Sequence, residues 1–254
     1  MTFDGGVRLV CDGPVATVTL CRPDVLNAQT PAMWAALREV GRKLPGDVRV
    51  VVLSGEGRSF SAGLDLSVIT GGEKSLVAEL SALPPEACVE RIAEFQAAFT
   101  WLHRPDIISV AAVQGHAIGA GFQLALACDL RVLADDAKLS MAEVTLGLVP
   151  DLAGTKRLVD LVGYARALEI CTTGRRLDAA EAERIGLATV VVPRAELDAA
   201  VRDLTAAILS GHRDAVVEIK ALLAGAAQRS PAEQQRAERE AQTRRLRDLA
   251  GLGE

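Results

Sequence analysis

Three glycine-bearing segments hold the residue types that could do chemistry: SFSAGLDL from Ser59 to Leu66, HAIGAGFQLALACDL from His116 to Leu130, and MAEVTLGLVPDLAGTKRL from Met141 to Leu158. The middle segment reads as a strand-to-helix turn. A helix starting near Gly119 leaves its first N–H groups unpaired and gathers partial positive charge at that end. Gly119 and Gly121 let a ligand come close to the backbone. If the loop at Gly63 aims its N–H groups at the same point, the two sets form an oxyanion hole, in which each donor contributes about 3–4 kcal/mol in the transition state. The same glycines also suit plain turns and close helix packing, so each segment alone leaves both readings open.

Other chemistries find little support. The GAG at Gly119–Gly121 has Leu124 where a dinucleotide fingerprint places its third glycine, and the phosphate-cradling GxxxxGK[ST] pattern is absent. There is no GxSxG nucleophile elbow. Cys11, Cys21, Cys88, Cys128 and Cys171 are scattered without a CxxC pair, which reads as reduced thiols in a cytoplasmic protein. His103, His116 and His212 are too dispersed for a metal site, so none is expected. The net charge of −5, with no long run of one sign, argues against a nucleic-acid partner. The longest apolar stretches, such as Ile107 to Val113, fall far short of the ~20 residues that span a bilayer. The opening MTFDGGVRLV lacks a secretory pattern.

The elements that must position these segments follow from periodicity. Val7 to Cys11 and Val15 to Leu20 flank Asp12-Gly13-Pro14 and read as a hairpin. Thr30-Pro31 is a helix-start signal, followed by Met33, Leu37, Val40 and Leu44 at helical spacing. Val48 to Leu53 and Ile107 to Val113 are continuous apolar runs, as in strands buried on both faces. Thr70 to Pro85 has no clear period, whereas Val89 to Leu102 is helical. Leu130–Leu133, Ala137–Leu139 and Val190–Val192 read as short strands. Arg157–Val162, Ala165–Cys171 and Ala179–Ile185 read as helices, with two more beyond Pro193 and a charged, weakly amphipathic tail from Pro231. Strand and helix alternate, so the class is α/β: a core over residues 1–193 and a helical region over 194–254.

Taken together, the three segments resemble the crotonase (enoyl-CoA hydratase/isomerase) family over nearly the whole chain to about residue 230. Its N-terminal marker corresponds to Arg22-Pro23 followed by Asn27-Ala28. The resemblance implies a spiral of ββα units, with a helical C-terminal region that builds a homotrimer or a dimer of trimers. It makes Leu64 and Ala120 the oxyanion-hole donors, beside Gly63 and Gly119. It places the CoA adenine at the backbone of Ala62, Asp65 and Leu66, and the pantetheine arm near Asn27 and Ala28. The substrate it implies is an acyl-CoA thioester, with CoA part of the substrate and no separate cofactor. It also implies that the chain ends before the Phe- and Lys/Arg-bearing terminal helix of many relatives, Lys220 or tail arginines being the substitutes.

Where hydratases of the family carry two glutamates, this chain has Gln123 and Glu143. An amide has no titratable proton near neutrality, so Gln123 can orient Glu143 or a water but cannot act as acid or base. A double-bond shift needs one base only, which favours an isomerase with Glu143 in that role. Asp151, eight residues on, matches a second carboxylate of the family's dienoyl-CoA isomerases and the nucleophile position of its dehalogenases. Val149-Pro150-Asp151 equally suits a turn with Asp151 capping the next helix. A hydratase with Asp151 activating water, and a non-catalytic acyl-CoA binder, stay open as alternatives.

Overall fold

A computed structural model describes residues 1–70, 72 and 75–253. The chain opens with β1 (Thr2–Phe3) and a hairpin of β2 (Val7–Asp12) and β3 (Val15–Leu20), whose register brings Asp12 opposite Val15 across Gly13-Pro14. Helix α1 (Pro31–Lys43) starts where Thr30 Oγ1 accepts from Met33 N at 3.2 Å. Strand β4 (Val50–Gly55) is followed by α2 (Leu66–Thr70), α3 (Leu76–Ser81) and α4 (Pro85–Thr100). Then come β5 (Ile108–Val113), β6 (His116–Ile118) and α5 (Ala120–Ala127). They are followed by β7 (Leu130–Ala134), β8 (Lys138–Ser140), α6 (Gly154–Val162), α7 (Tyr164–Thr173), β9 (Leu177–Asp178), α8 (Ala179–Arg184) and β10 (Val190–Val192). Helices α9 (Leu197–Ser210), α10 (Arg213–Gly225) and α11 (Pro231–Leu249) complete the chain.

Seven strands form one sheet in the order β1-β2-β3-β4-β5-β7-β10, parallel from β3 onward. Alternate side chains of β4 and β5 point to opposite faces. Val51, Leu53, Ala111 and Val113 join the core under α1, α4 and α5, with Leu37, Val40, Phe99 and Leu126. Val50, Val52, Val110 and Ala112 face the other way and pack on Leu197 and Val201 of α9. Both faces are covered, which explains the unbroken apolar runs.

A second sheet runs beside the first, in the order β6-β8-β9. Two isolated parallel bridges, Gln29↔Leu64 and Ser61↔Ala117, extend its pattern to the preceding turns of the winding. Each turn thus lays down a long strand, then a short stretch in the second layer, then a helix. This is the mixed α/β architecture of crotonase-type proteins.

Three stretches gain definite structure. His116–Ile118 is a strand rather than part of a turn, paired with Lys138–Ser140. The aperiodic stretch from Thr70 to Pro85 holds α3, capped by Ser75 Oγ accepting from Ala78 N; residues 71, 73 and 74 of that stretch lie outside the described residues, as does Glu254. The charged, weakly amphipathic tail from Pro231 forms a helix of 19 residues with a Ser230/Glu233 capping box. That helix carries Arg236, Arg239, Arg244, Arg245 and Arg247, and neither Phe nor Lys. Among the described residues no helix is long and apolar enough to cross a membrane, and no cluster of three His, Cys, Asp or Glu could hold a metal ion.

Candidate active site

The first candidate donor is set by the Gln29↔Leu64 bridge. Gln29 N donates to Gly63 O at 2.7 Å, and Asp65 N donates to Gln29 O at 2.8 Å. In a parallel pairing of this kind the residue between the two bonded neighbours turns its own N–H away from the partner. Leu64 N–H is therefore free of the bridge. The second candidate donor, Ala120 N, is the first helical amide of α5, behind Gly119 as N-cap. Among the described residues neither N–H finds a protein acceptor.

Two glycines let the backbone pass closely at this point. Gly63, at φ +89°, lies so close to the end of β6 that a Cβ on it would stand 2.4 Å from Ile118 O and 3.6 Å from Ala120 N. Gly119, at φ +51°, lies against Glu143: a Cβ there would be 3.4 Å from Glu143 Oε1. The positive φ favours glycine at both positions, and at Gly63 the lack of room demands it as well. The Gly63 turn thus lies against the start of α5, and Gly119 lies against the carboxylate of residue 143.

Glu143 sits on a short 3-10 turn, Ala142–Leu146, just after β8. Its Oε1 accepts from Gln123 Nε2 at 2.7 Å, while Oε2 is buried with no hydrogen-bond partner. Burial pushes the Glu143 carboxyl above its ordinary value of 4.5, and the nearby Asp151 charge adds to the rise. Hydrogen bonds from the backbone and from Gln123 oppose it. Gln123, fully buried in α5, also accepts through Oε1 from Leu152 N at 2.8 Å and Gly154 N at 3.3 Å. One amide side chain therefore ties the Glu143 turn to the loop before α6.

That loop carries Asp151, whose carboxyl burial likewise raises above the ordinary 3.8. Asp151 does not cap α6. The N-cap is Ala153, at φ 65° and without a side-chain cap, and the free ends of the helix are met instead by Gln123. The Asp151 carbonyl is held by Gln96 Nε2 of α4 at 2.7 Å.

The remaining candidates line the approach to the Gly63 loop. Asn27 is fully buried and every polar group of its side chain is spent internally: Nδ2 donates to Glu56 O (2.9 Å) and Ser59 O (2.8 Å), and Oδ1 accepts from Arg22 N (2.8 Å). These bonds hold two successive left-handed residues, Leu26 at φ 52° and Asn27 at φ 54°. Ala62 N donates to Leu26 O, and the Arg22 guanidinium bridges Ala28 O and Asp65 Oδ2. The Asp65 carboxyl is held below its ordinary range, first by Ser67 and then by Arg22. Leu66, more than half exposed, begins α2. Sequence reasoning passed over Arg22, Gln29 and Ser61 as individual residues, although each lies in or beside a quoted motif. Only the fold shows that their side chains turn inward.

A parallel sheet wound with a short-strand second layer, with free amides at two glycine turns beside a buried glutamate, defines a crotonase-type site. The chain belongs to the enoyl-CoA hydratase/isomerase family, whose model matches residues 11–248. A Thermobifida fusca YX protein provisionally named an enoyl-CoA hydratase is 50% identical in its crystal structure, with TM-score 0.92 over 97% of this chain and 95% of its own. A crystal structure described in the same terms in complex with CoA matches at 49% identity and TM-score 0.91, over 97% and 95% of the two chains. Another, in complex with acetoacetyl-CoA, matches at 50% identity and TM-score 0.91, over 96% of each chain. The peroxisomal Delta(3,5)-Delta(2,4)-dienoyl-CoA isomerase of Arabidopsis thaliana is 33% identical over 85% of this chain and 80% of its own length.

Proposed function

We propose that the chain binds an acyl-CoA thioester and shifts a carbon–carbon double bond, with Glu143 as the base and the amides of Leu64 and Ala120 holding the enolate oxygen. The observation that carries this reading is the pairing of one buried carboxylate with a non-ionisable amide, Gln123 Nε2 to Glu143 Oε1 at 2.7 Å, beside two free N–H groups. Complexes of a near neighbour with CoA and acetoacetyl-CoA support the ligand class. CoA enters as part of the substrate, and the reaction needs no further cofactor.

On a 3-enoyl-CoA, Glu143 takes a proton from C2. The electron pair moves through the thioester carbonyl to its oxygen, which the two N–H groups receive as a dienolate. The double bond then lies between C2 and C3 once a proton returns at C4, from Glu143 or from Asp151. Atoms and charge balance without a co-reactant. Gln123 holds Oε1 in place, which leaves the unpartnered Oε2 to carry the proton. Residues 1–193 supply this site, and we assign residues 194–254 to assembly as a homotrimer or a dimer of trimers, to be read by light scattering.

Incubation with a 2-enoyl-CoA and with a 3-enoyl-CoA, followed at the thioester absorbance, separates the readings. Isomerisation of the 3-enoyl ester without net hydration is the expected result. Hydration of the 2-enoyl ester as the main reaction would instead favour a hydratase in which Asp151 serves the water. Glu143→Gln should lower turnover at least about a thousandfold while leaving CoA-ester affinity largely intact. Undiminished turnover in that variant refutes the assignment.

A further inference from the structure

We infer that Ser61 and Gln29 are positioning residues that set the spacing of the two backbone donors; the inference rests on the oxyanion-hole reading of Leu64 and Ala120. Ser61 is fully buried and holds both halves of the site. Its side chain governs the first donor's loop: Oγ donates to Asn27 O at 2.8 Å and accepts from Gln29 Nε2 and Gly63 N, each at 3.2 Å. Its backbone governs the second donor's strand: Ser61 N donates to His116 O at 2.8 Å, and Ser61 O accepts from Ile118 N at 3.1 Å. The carbonyl also lies where a Cβ on Gly121 would be, 2.5 Å away, so α5 begins directly against it.

Gln29 works from the other side. Its main chain bonds Gly63 and Asp65, the two neighbours of Leu64. Its side chain, also fully buried, is fixed at both ends, by Trp34 Nε1 donating to Oε1 at 2.8 Å and by the bond from Nε2 to Ser61 Oγ. Trp34 is in turn packed on Phe95 and Phe99 of α4, with ring centroids 4.9 Å and 6.3 Å away. A continuous line of contacts therefore runs from the aromatic core through Trp34, Gln29 and Ser61 to the Gly63 amide. Both side chains are sealed from solvent and their bonds all run to protein, so they act through the donors and not on a ligand. A buried polar network is costly unless every member is satisfied, and when satisfied it holds one geometry. An apolar pair would fill the same space without directing the loop.

The test reads the hole directly. Bound acetoacetyl-CoA is titrated for its enolate by near-UV absorbance, because donors aimed at its oxygen raise the enolate fraction. Wild type should raise that fraction over free ligand. Ser61→Ala and Gln29→Leu should each cut the gain, and kcat on the turned-over enoyl-CoA, by about tenfold, since small misplacements at a reacting centre are amplified. KM and the acetoacetyl-CoA Kd should move less than about threefold, because only the donors' aim has changed. In the double variant Ser61→Ala/Gln29→Leu the Gln29 amide that Ser61→Ala alone strands is gone, so its Tm loss should fall short of the sum of the two single losses, with none of the enolate gain recovered. A merely structural role predicts that the two recover together, which overturns the inference. Where a single variant does not fold, Trp34→Phe keeps the ring stack and removes only the outer bond, with an expected loss of roughly twofold. An unchanged enolate fraction and kcat in the folded variants also overturns it. A wild type that binds acetoacetyl-CoA with no enolate gain removes the hole itself, and this outcome is distinct from the other two.

Discussion

At the scale of single residues, the electrostatics of Glu143 set two expectations. Burial raises its carboxyl above 4.5, so the carboxylate that a base requires accumulates only as pH climbs past the raised value. The acid limb of kcat/KM should therefore lie above the ordinary glutamate range. Gln123→Leu removes a hydrogen bond that lowers this pKa and should move the limb further up; Asp151→Asn removes a charge that raises it and should move the limb down. A pH–rate series on the two variants checks both signs, and shifts in the same direction would contradict the arrangement. Stability follows by linkage. Between 4.5 and the raised value the native state holds a proton that the unfolded chain has lost, so the Glu143 contribution falls as pH rises through that window. Glu143→Gln escapes the penalty and should melt no lower than wild type at pH 7, with its advantage fading below about pH 4.5 in paired thermal scans. The partners of Gln123 were not readable from its neighbours in sequence, which are all apolar. Its acceptor, Glu143, and its donors, the amides of Leu152 and Gly154, are brought to it only by the fold.

At the scale of elements, legibility tracked the strength of local signals. The hairpin of β2 and β3, the Thr30-Pro31 start of α1 and the two-sided burial of β4 and β5 each leave a mark in composition and period. Among strands of two or three residues, the apolar Val190–Val192 and the stretch around Leu139 do so, whereas β1, β6 and β9 do not. β6 lies among glycines that read as a turn, and its identity comes from pairing with β8. Helix α11 was faint for a different reason: among its residues only Ala241 and Arg245 are buried, so its apolar stripe is narrow. Charged contacts join it to α10: Arg244 reaches Glu218 and Arg245 reaches Asp214. The Gly63 turn has little tolerance for a side chain. Gly63→Ala combines a left-handed backbone with a contact of 2.4 Å to Ile118 O. The cost should be about 3 kcal/mol, a fall in Tm on the order of 10 °C, with turnover lost because the two donors are pushed apart. A folded, fully active alanine variant in calorimetry and assay would show that the turn is not so tightly drawn.

At the scale of the molecule, a largely buried ion pair adds to the packing of α9 on the sheet in joining the helices after β10 to the core. Lys220 Nζ of α10 reaches Asp129 Oδ2 and Ile107 O, each at 2.7 Å, while Ser109 N and Oγ hold the same carboxylate. Lys220→Met should cost about 3 kcal/mol, because it leaves a buried charge short of its counter-ion. Denaturant melts of the variant read that loss, and an unchanged midpoint would argue that Ser109 alone suffices. The winding of the main sheet has a further consequence. Strand order never reverses from β3 to β10, so no crevice opens between diverging crossovers as it does in doubly wound sheets. The two amides come from successive coils and the carboxylate from the next, more than twenty residues beyond α5's first residue. No short fragment can hold the constellation, and a nascent chain remains inert until three coils have stacked. On the proposed assignment, enolate formation on a bound ester would report that these three coils have stacked, whether or not the later helices have docked.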